Sequence, residues 1–235
     1  SINNQLSAIL NYAVVYHNLP SNPVLKIERL GTKQADKERE FWTLDEYTKF
    51  SNVIREKPEF YYAFQVFFWC GLRLGELQAL TREDVNLHEM TLKVTNSFTK
   101  KEQTNGKTKT PNSKRTVHMP KELAEELEEY INSLYGIKST DRLFEISKSA
   151  FHKTMTEYSK KAGVKRITIH GLRHSHISLL MNYVSCASVM DIAKRAGHKS
   201  PEITMIYSHR YGNKDALIAE QLDEMMRGDS DVSKK

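Results

Sequence analysis

The chain has 235 residues, 39% of them hydrophobic and 27% charged, which supplies one substantial core and excludes a disordered polyelectrolyte. Lysine and arginine number 35 against 29 acidic residues, a net charge of +6, so polyanionic partners are favoured, nucleic acid ahead of an anionic membrane surface. No apolar run approaches the roughly 18 residues needed to cross a bilayer and none reads as a secretory signal. The expectation is therefore a cytoplasmic protein with no membrane partner. Cys70 and Cys186 fit no metal spacing and read as reduced thiols.

In chain order, residues 1–19 carry helical periodicity in Leu6, Ile9, Leu10, Ala13 and Val14, ended by Pro20, Asn22 and Pro23. Because the chain opens inside this helix, it reads as the C-terminal piece of a longer protein. Residues 26–40 are dense in charge and read as a linker, with the main domain starting near Phe41. Thr43-Leu44-Asp45-Glu46 has the form of a capping box. Leu44, Tyr47, Phe50 and Ile54 follow as an apolar stripe. Residues 59–70 are apolar on nearly every side, which predicts a buried central helix, and Gly71 stops it. Val85, Leu87, Met90, Leu92 and Val94 then alternate with polar residues and predict two short antiparallel strands. A third strand is expected over 114–119, after a loop over 104–113. Pro120 opens an amphipathic helix with Leu123, Leu127, Tyr130, Ile131 and Leu134 inward. From Ser149 the chain reads as helical, punctuated by Gly163, Gly197, Pro201 and Gly212, and its last helix, 214–226, carries a separate stripe of Leu217, Ile218, Leu222 and Met225.

Six side chains have the chemistry of phosphoryl transfer. Arg73 lies in Gly71-Leu72-Arg73-Leu74-Gly75-Glu76, and His170 and Arg173 lie in His170-Gly171-Leu172-Arg173-His174. His198 follows Gly197 in an expected turn, Tyr207 reads as lying on a short helix beyond it, and Lys109 as standing in a basic loop. Planar guanidinium groups match two phosphate oxygens with paired, charge-assisted hydrogen bonds. A phenol with a pKa of about 10 needs such cations and a proton acceptor before it attacks phosphorus. A lysine beside them can protonate a departing 5′-oxygen. Taken singly, each arginine reads more readily as a helix cap or ion pair than as a catalytic group, and Glu76 reads as the orienting partner of Arg73. His174 reads as a packed helix histidine. From Lys100 to Lys121 there are seven basic residues and one acid, so Lys100, Lys101, Lys107, Lys114 and Arg115 are candidate DNA contacts. Lys107 rivals Lys109 as the acid, and Tyr211 is the tyrosine most easily confused with Tyr207.

These boxes, in this order and at these distances, resemble the tyrosine recombinase family, the phage-type integrases. The resemblance implies an α+β, mainly helical catalytic fold with a small three-stranded antiparallel sheet. Arg73, Lys109, His170, Arg173 and His198 would activate the phosphate, and Tyr207 would be the nucleophile. It further implies site-specific cleavage and rejoining of duplex DNA through a 3′-phosphotyrosyl intermediate, serving integration or excision of a mobile element without cofactor or metal. Residues 1–25 would end a core-binding domain, 26–40 form the linker, 41–212 the catalytic domain, and 213–235 a C-terminal helix and tail exchanged between subunits. The implied partners are double-stranded DNA, further copies of the chain in a tetramer on synapsed DNA, and accessory DNA-bending proteins. Two other classes stand beside this one: a DNA-binding module without catalysis, and a metal-dependent phosphodiesterase using His170 and His174. The second lacks a glutamate beside its first histidine, and no carboxylate occurs between Arg166 and Met190.

Overall fold

The computed structural model describes residues 2–27, 40–99, 104–107, 114–184, 186–198 and 204. The chain divides into two compact units, Ser1–Arg39 and Glu40–Lys235. In the first, helix α1 (Ile2–Tyr16) is followed by a 3₁₀ turn, Pro23–Lys26. Asn22 joins them: its side-chain amide donates to Asn11 Oδ1 at 2.7 Å and to the Ser7 carbonyl at 3.1 Å, while its oxygen accepts from Val24 N–H at 2.9 Å.

The second unit begins at a pinned tryptophan. Trp42 N–H donates to Ser175 Oγ at 2.8 Å, and its indole N–H to the Lys165 carbonyl at 2.7 Å. Helix α2 (Leu44–Ile54) opens on the capping box expected from Thr43 and Glu46. Tyr47, Phe50 and Ile54 are buried, but Leu44 is exposed, because a residue in the first turn sits ahead of the face that meets the core. Helix α3 (Pro58–Cys70) is buried on almost every side and packs against α2, α5 and α7. The Phe64 ring makes edge contacts with Phe50 at 5.0 Å and Phe151 at 5.5 Å, and Tyr47 stacks on Phe68. One continuous apolar core runs from Trp42 to Leu172.

Gly71 ends α3 in the left-handed conformation, with φ +62°, and the chain turns at once into the short helix α4 (Leu74–Ala79). Strands β1 (Val85–Asn86), β2 (Thr91–Val94) and β5 (Arg115–His118) form the three-stranded antiparallel sheet in the order β1-β2-β5. A second antiparallel pair joins β3 (Asn96–Thr99) to β4 (Thr104–Lys107), and β4 falls in the segment read as a loop. Thr-Asn-Gly-Lys has no alternation to announce a strand. Its partner β3 is held instead by tertiary contacts. A Cβ on Gly75 would come within 2.5 Å of Ser97 Oγ and 3.1 Å of the Phe98 carbonyl oxygen, so glycine lets β3 lie close on α4. The Arg142 guanidinium covers the Phe98 ring at 4.7 Å.

Helix α5 (Lys121–Ser133) buries Leu123, Leu127, Tyr130 and Ile131 as expected, with Leu134 as its half-buried cap. Helix α6 (Lys148–Lys161) packs on α2, and α7 (Ile169–Tyr183) lies against α3 and carries α8 (Val189–Ala196). The expected helix 214–226 lies outside the described residues. Truncating the central ring, Phe64→Ala, is expected to cost about 3–5 kcal/mol of unfolding free energy, read as a lowered urea midpoint.

Candidate active site

The site is built on the last turn of α8. That helix begins with a capping box between Ser188 and Asp191 and ends at Gly197, φ +66°. Gly197 N–H donates to the Lys194 carbonyl at 3.0 Å and His198 N–H to the Ala193 carbonyl at 2.9 Å. This glycine-capped turn satisfies two of the carbonyls that a helix end leaves open. The next three are taken by arginines from three other elements. Arg115 on β5 donates Nε–H to the Arg195 carbonyl at 2.7 Å. Arg173 on α7 donates to the Ala196 carbonyl, and Arg73 before α4 donates to the Gly197 carbonyl at 2.6 Å. The negative end of the helix dipole thus gathers three guanidinium groups.

Each arginine is also held from its own side. Arg173, 1% exposed, donates to the Gly71 carbonyl at 2.6 Å, tying the cap of α3 to the cap of α8. Arg73 donates backbone N–H to Glu76 Oε2 at 2.8 Å and Nη1 to Oε1 at 2.7 Å. Arg115 grips the same carboxylate with both terminal nitrogens, at 2.9 and 3.1 Å. Burial raises the pKa of Glu76, but the Arg115 bonds and charge, with Arg73, outweigh it and hold the carboxyl below its ordinary value. Glu76, read from the sequence as a partner of Arg73, thus bonds both its backbone and its guanidinium.

Arg115 corrects one expectation. Placed by sequence among the loop cations that contact DNA, it turns inward, its side chain 6% exposed. The alternation of β5 explains this, since Val117, two residues on and on the same face, is buried in the core. Lys114, its neighbour, is exposed.

His198 places Nδ1 2.7 Å from the Thr204 hydroxyl. Burial first, then Arg173, Arg73, His170 and Arg115, bring its pKa down to about 4. His170 is exposed in the first turn of α7, its ring 4.6 Å from that of His174, which is buried as a packed helix histidine. Among the described residues, no three His, Cys, Asp or Glu side chains come together as a metal site.

Two residues of the site carry no sequence signal of their own. His176 is buried against Gly71, where a Cβ would lie 2.3 Å from its ring. Its Nε2 accepts from Arg195 Nε at 3.3 Å, and burial with the Arg195 and Arg173 charges lowers its pKa to about 3. Arg195 also donates to the carbonyls of Trp69 and His118, at 3.2 and 3.0 Å. Lys109, Tyr207, Tyr211, Lys100 and Lys101 lie outside the described residues, and of Lys107 only the backbone, in β4, is described.

A model of the phage integrase family matches residues 40–214, the span that contains every group above. The chain belongs to that family. It is 30% identical to the ICEBs1 integrase of Bacillus subtilis (strain 168), a match covering 96% of this chain and 66% of the relative. It is 28% identical to the integrase of Mycobacterium phage L5, covering 95% and 62%. The chain thus spans about three fifths to two thirds of the length of these relatives. Its fold is that of the Tn1549 transposon integrase, solved with transposon right end DNA, at TM-score 0.75 and 19% identity over 94% of this chain and 78% of that one. A lambda integrase dimer bound to a COC′ core site also matches, at TM-score 0.62 and 21% identity over 91% and 60%.

Two neutral imidazoles, His176 buried and His198 half-buried, set an acid limit for this integrase fold. Both have folded pKa values below the unfolded value of about 6.5, so the unfolded chain binds more protons below that pH. Stability is expected to be level above pH 7 and to fall as pH drops from 6.5 toward 4, with His176 alone contributing about 2 kcal/mol of loss by pH 5. Urea midpoints across this range measure the slope, and His176→Gln should flatten it.

Proposed function

We propose that this chain carries the catalytic domain of a site-specific DNA recombinase, which cuts and rejoins duplex DNA through a covalent 3′-phosphotyrosyl bond. The observation that carries the reading is the seating of Arg73 and Arg173 on adjacent carbonyls of one helix end, beside His198. Among Arg73, Arg115, Arg173 and Glu76, three positive charges face one negative charge, and His198 is neutral at pH 7. Such a fixed positive field suits a phosphodiester gathering charge on its non-bridging oxygens, because it needs no reorganisation when the reaction occurs. Integrases of this family solved on DNA support the same partner here.

In this reading Arg73 and Arg173 hold the two non-bridging oxygens and His198 donates a further hydrogen bond. The Tyr207 oxygen attacks phosphorus as its proton passes to His170, the histidine exposed at the start of α7. The bond to the 5′-oxygen breaks, and Lys109 supplies the proton that oxygen needs. The phosphotyrosyl ester preserves the energy of the cleaved bond, so a 5′-hydroxyl of a partner strand can reverse the step without nucleotide hydrolysis. Lys100, Lys101, Lys107 and Lys114 grip flanking phosphates. A tetramer on two synapsed duplexes, with 213–235 exchanged between subunits and accessory DNA-bending proteins alongside, is the assembly this chemistry calls for. Residues 1–25 end a core-binding domain, 26–40 link it to the catalytic domain 41–212, and the setting is the cytoplasm of a bacterial cell.

Incubation with a library of nicked suicide duplexes bearing a randomised core should yield a protein–DNA adduct stable on a denaturing gel, also in excess chelator. Tyr207→Phe is expected to abolish the adduct while non-covalent retention of DNA stays near wild type. An adduct that survives in that variant removes Tyr207 as the nucleophile.

Lys109→Ala should slow cleavage on the order of a thousandfold with an ordinary 5′-oxygen leaving group. A 5′-sulfur leaving group, which departs without protonation, should restore the rate. Equal slowing on both substrates assigns the proton to another donor, with Lys107 next to be tested.

A further inference from the structure

Glu76 accepts four hydrogen bonds, two from Arg73 and two from Arg115, and its side chain is 2% exposed. The carboxylate is thus shared, and the sharing matters for charge. With Arg73 as its sole partner, Glu76 would cancel the guanidinium that the proposed reaction needs. A second arginine takes up half of the carboxylate's bonding and leaves the group of three with surplus positive charge. Arg115 also reaches the other half of the site. Its Nε–H holds the Arg195 carbonyl, and its guanidinium lies under the turn at Gly197, where a Cβ would come within 2.9 Å of Nη1. One buried side chain therefore connects the acid beside Arg73 to the turn that presents His198.

We propose that Arg115 is a positioning residue of the recombination site: by occupying Glu76 it keeps the Arg73 guanidinium directed at phosphate, and by bracing the Arg195–Gly197 turn it fixes His198 beside it. The inference rests on the reading that Arg73 and His198 hold the scissile phosphate. It assigns to Arg115 no contact with DNA.

The test uses the full chain and the nicked suicide duplex that wild type selects from the randomised library. Single-turnover adduct formation at saturating protein, DNA affinity by gel shift and the urea midpoint are measured for four proteins. These are wild type, Arg115→Met, Arg115→Lys and the double variant Arg115→Met/Glu76→Gln. Arg115→Met is expected to slow adduct formation about a hundredfold while the dissociation constant stays within about threefold. Lysine restores charge without the two-pronged grip, so Arg115→Lys should recover about a tenth of the wild-type rate. The double variant carries the distinguishing outcome: removing the unshared carboxylate should make it about tenfold faster than Arg115→Met alone.

A double variant no faster than Arg115→Met would overturn the proposal, as would an Arg115→Met rate equal to wild type with weakened DNA affinity. So would a rate loss recovered fully under conditions that restore the urea midpoint, since that marks a support of the fold alone. Any of these with a normal wild-type adduct leaves the recombinase reading standing and removes Arg115 from it. Absence of an adduct in wild type removes both.

Discussion

The last turn of α8 exposes three consecutive carbonyls, and three guanidinium groups from separate parts of the chain close on them. Arg73 comes from the turn after α3, Arg115 from the sheet, and Arg173 from the middle of α7. A helix end buried without donors costs several unsatisfied acceptors, and a buried guanidinium without acceptors costs more. Each side removes the other's penalty. The same contacts that complete α8 bring residues more than 120 positions apart in sequence into one cluster.

This arrangement separates holding from acting. Arg173 is buried and bonded at both ends, to the caps of α3 and α8, so its orientation is set before any ligand arrives. Arg73 is more open, its side chain 36% exposed, and lies at the edge of the cluster beside His198. Burial, reinforced by the positive field, lowers the pKa values of His176 and His198 and so keeps these two imidazoles neutral. They serve as hydrogen-bonding groups in a site whose charge comes from arginine. The balance also requires Glu76, since like charges this close repel strongly unless an anion lies among them.

Glycine makes the close approaches possible at two places that matter for the site. Gly71 allows the α3 cap to turn left-handed while the His176 ring presses on it, and Gly197 allows the α8 cap to lie over the Arg115 guanidinium. In both cases a side chain would collide as well as strain the backbone. Arg173 bridges the two caps that these glycines close.

Local pattern in the chain determined much of this. The capping box at Thr43, the buried helix α3 and its stop at Gly71, the β1–β2 hairpin and the amphipathic α5 each follow from periodicity and turn chemistry within a dozen or so residues. The boxes around Arg73, His170–Arg173 and His198 carried the family, because they join chemistry to order along the chain. Only the tertiary structure decided the rest. Nothing near Thr-Asn-Gly-Lys encodes strand β4, whose partner is held by Gly75 and Arg142. Arg115 sits in a basic run and resembles its exposed neighbours until the sheet turns its face toward Glu76. His176 and Arg195 acquire meaning only where α7, α3, β5 and α8 meet. The reason is physical: periodicity records which face of an element is buried, whereas the partner of a buried charge is chosen by the packing of distant elements.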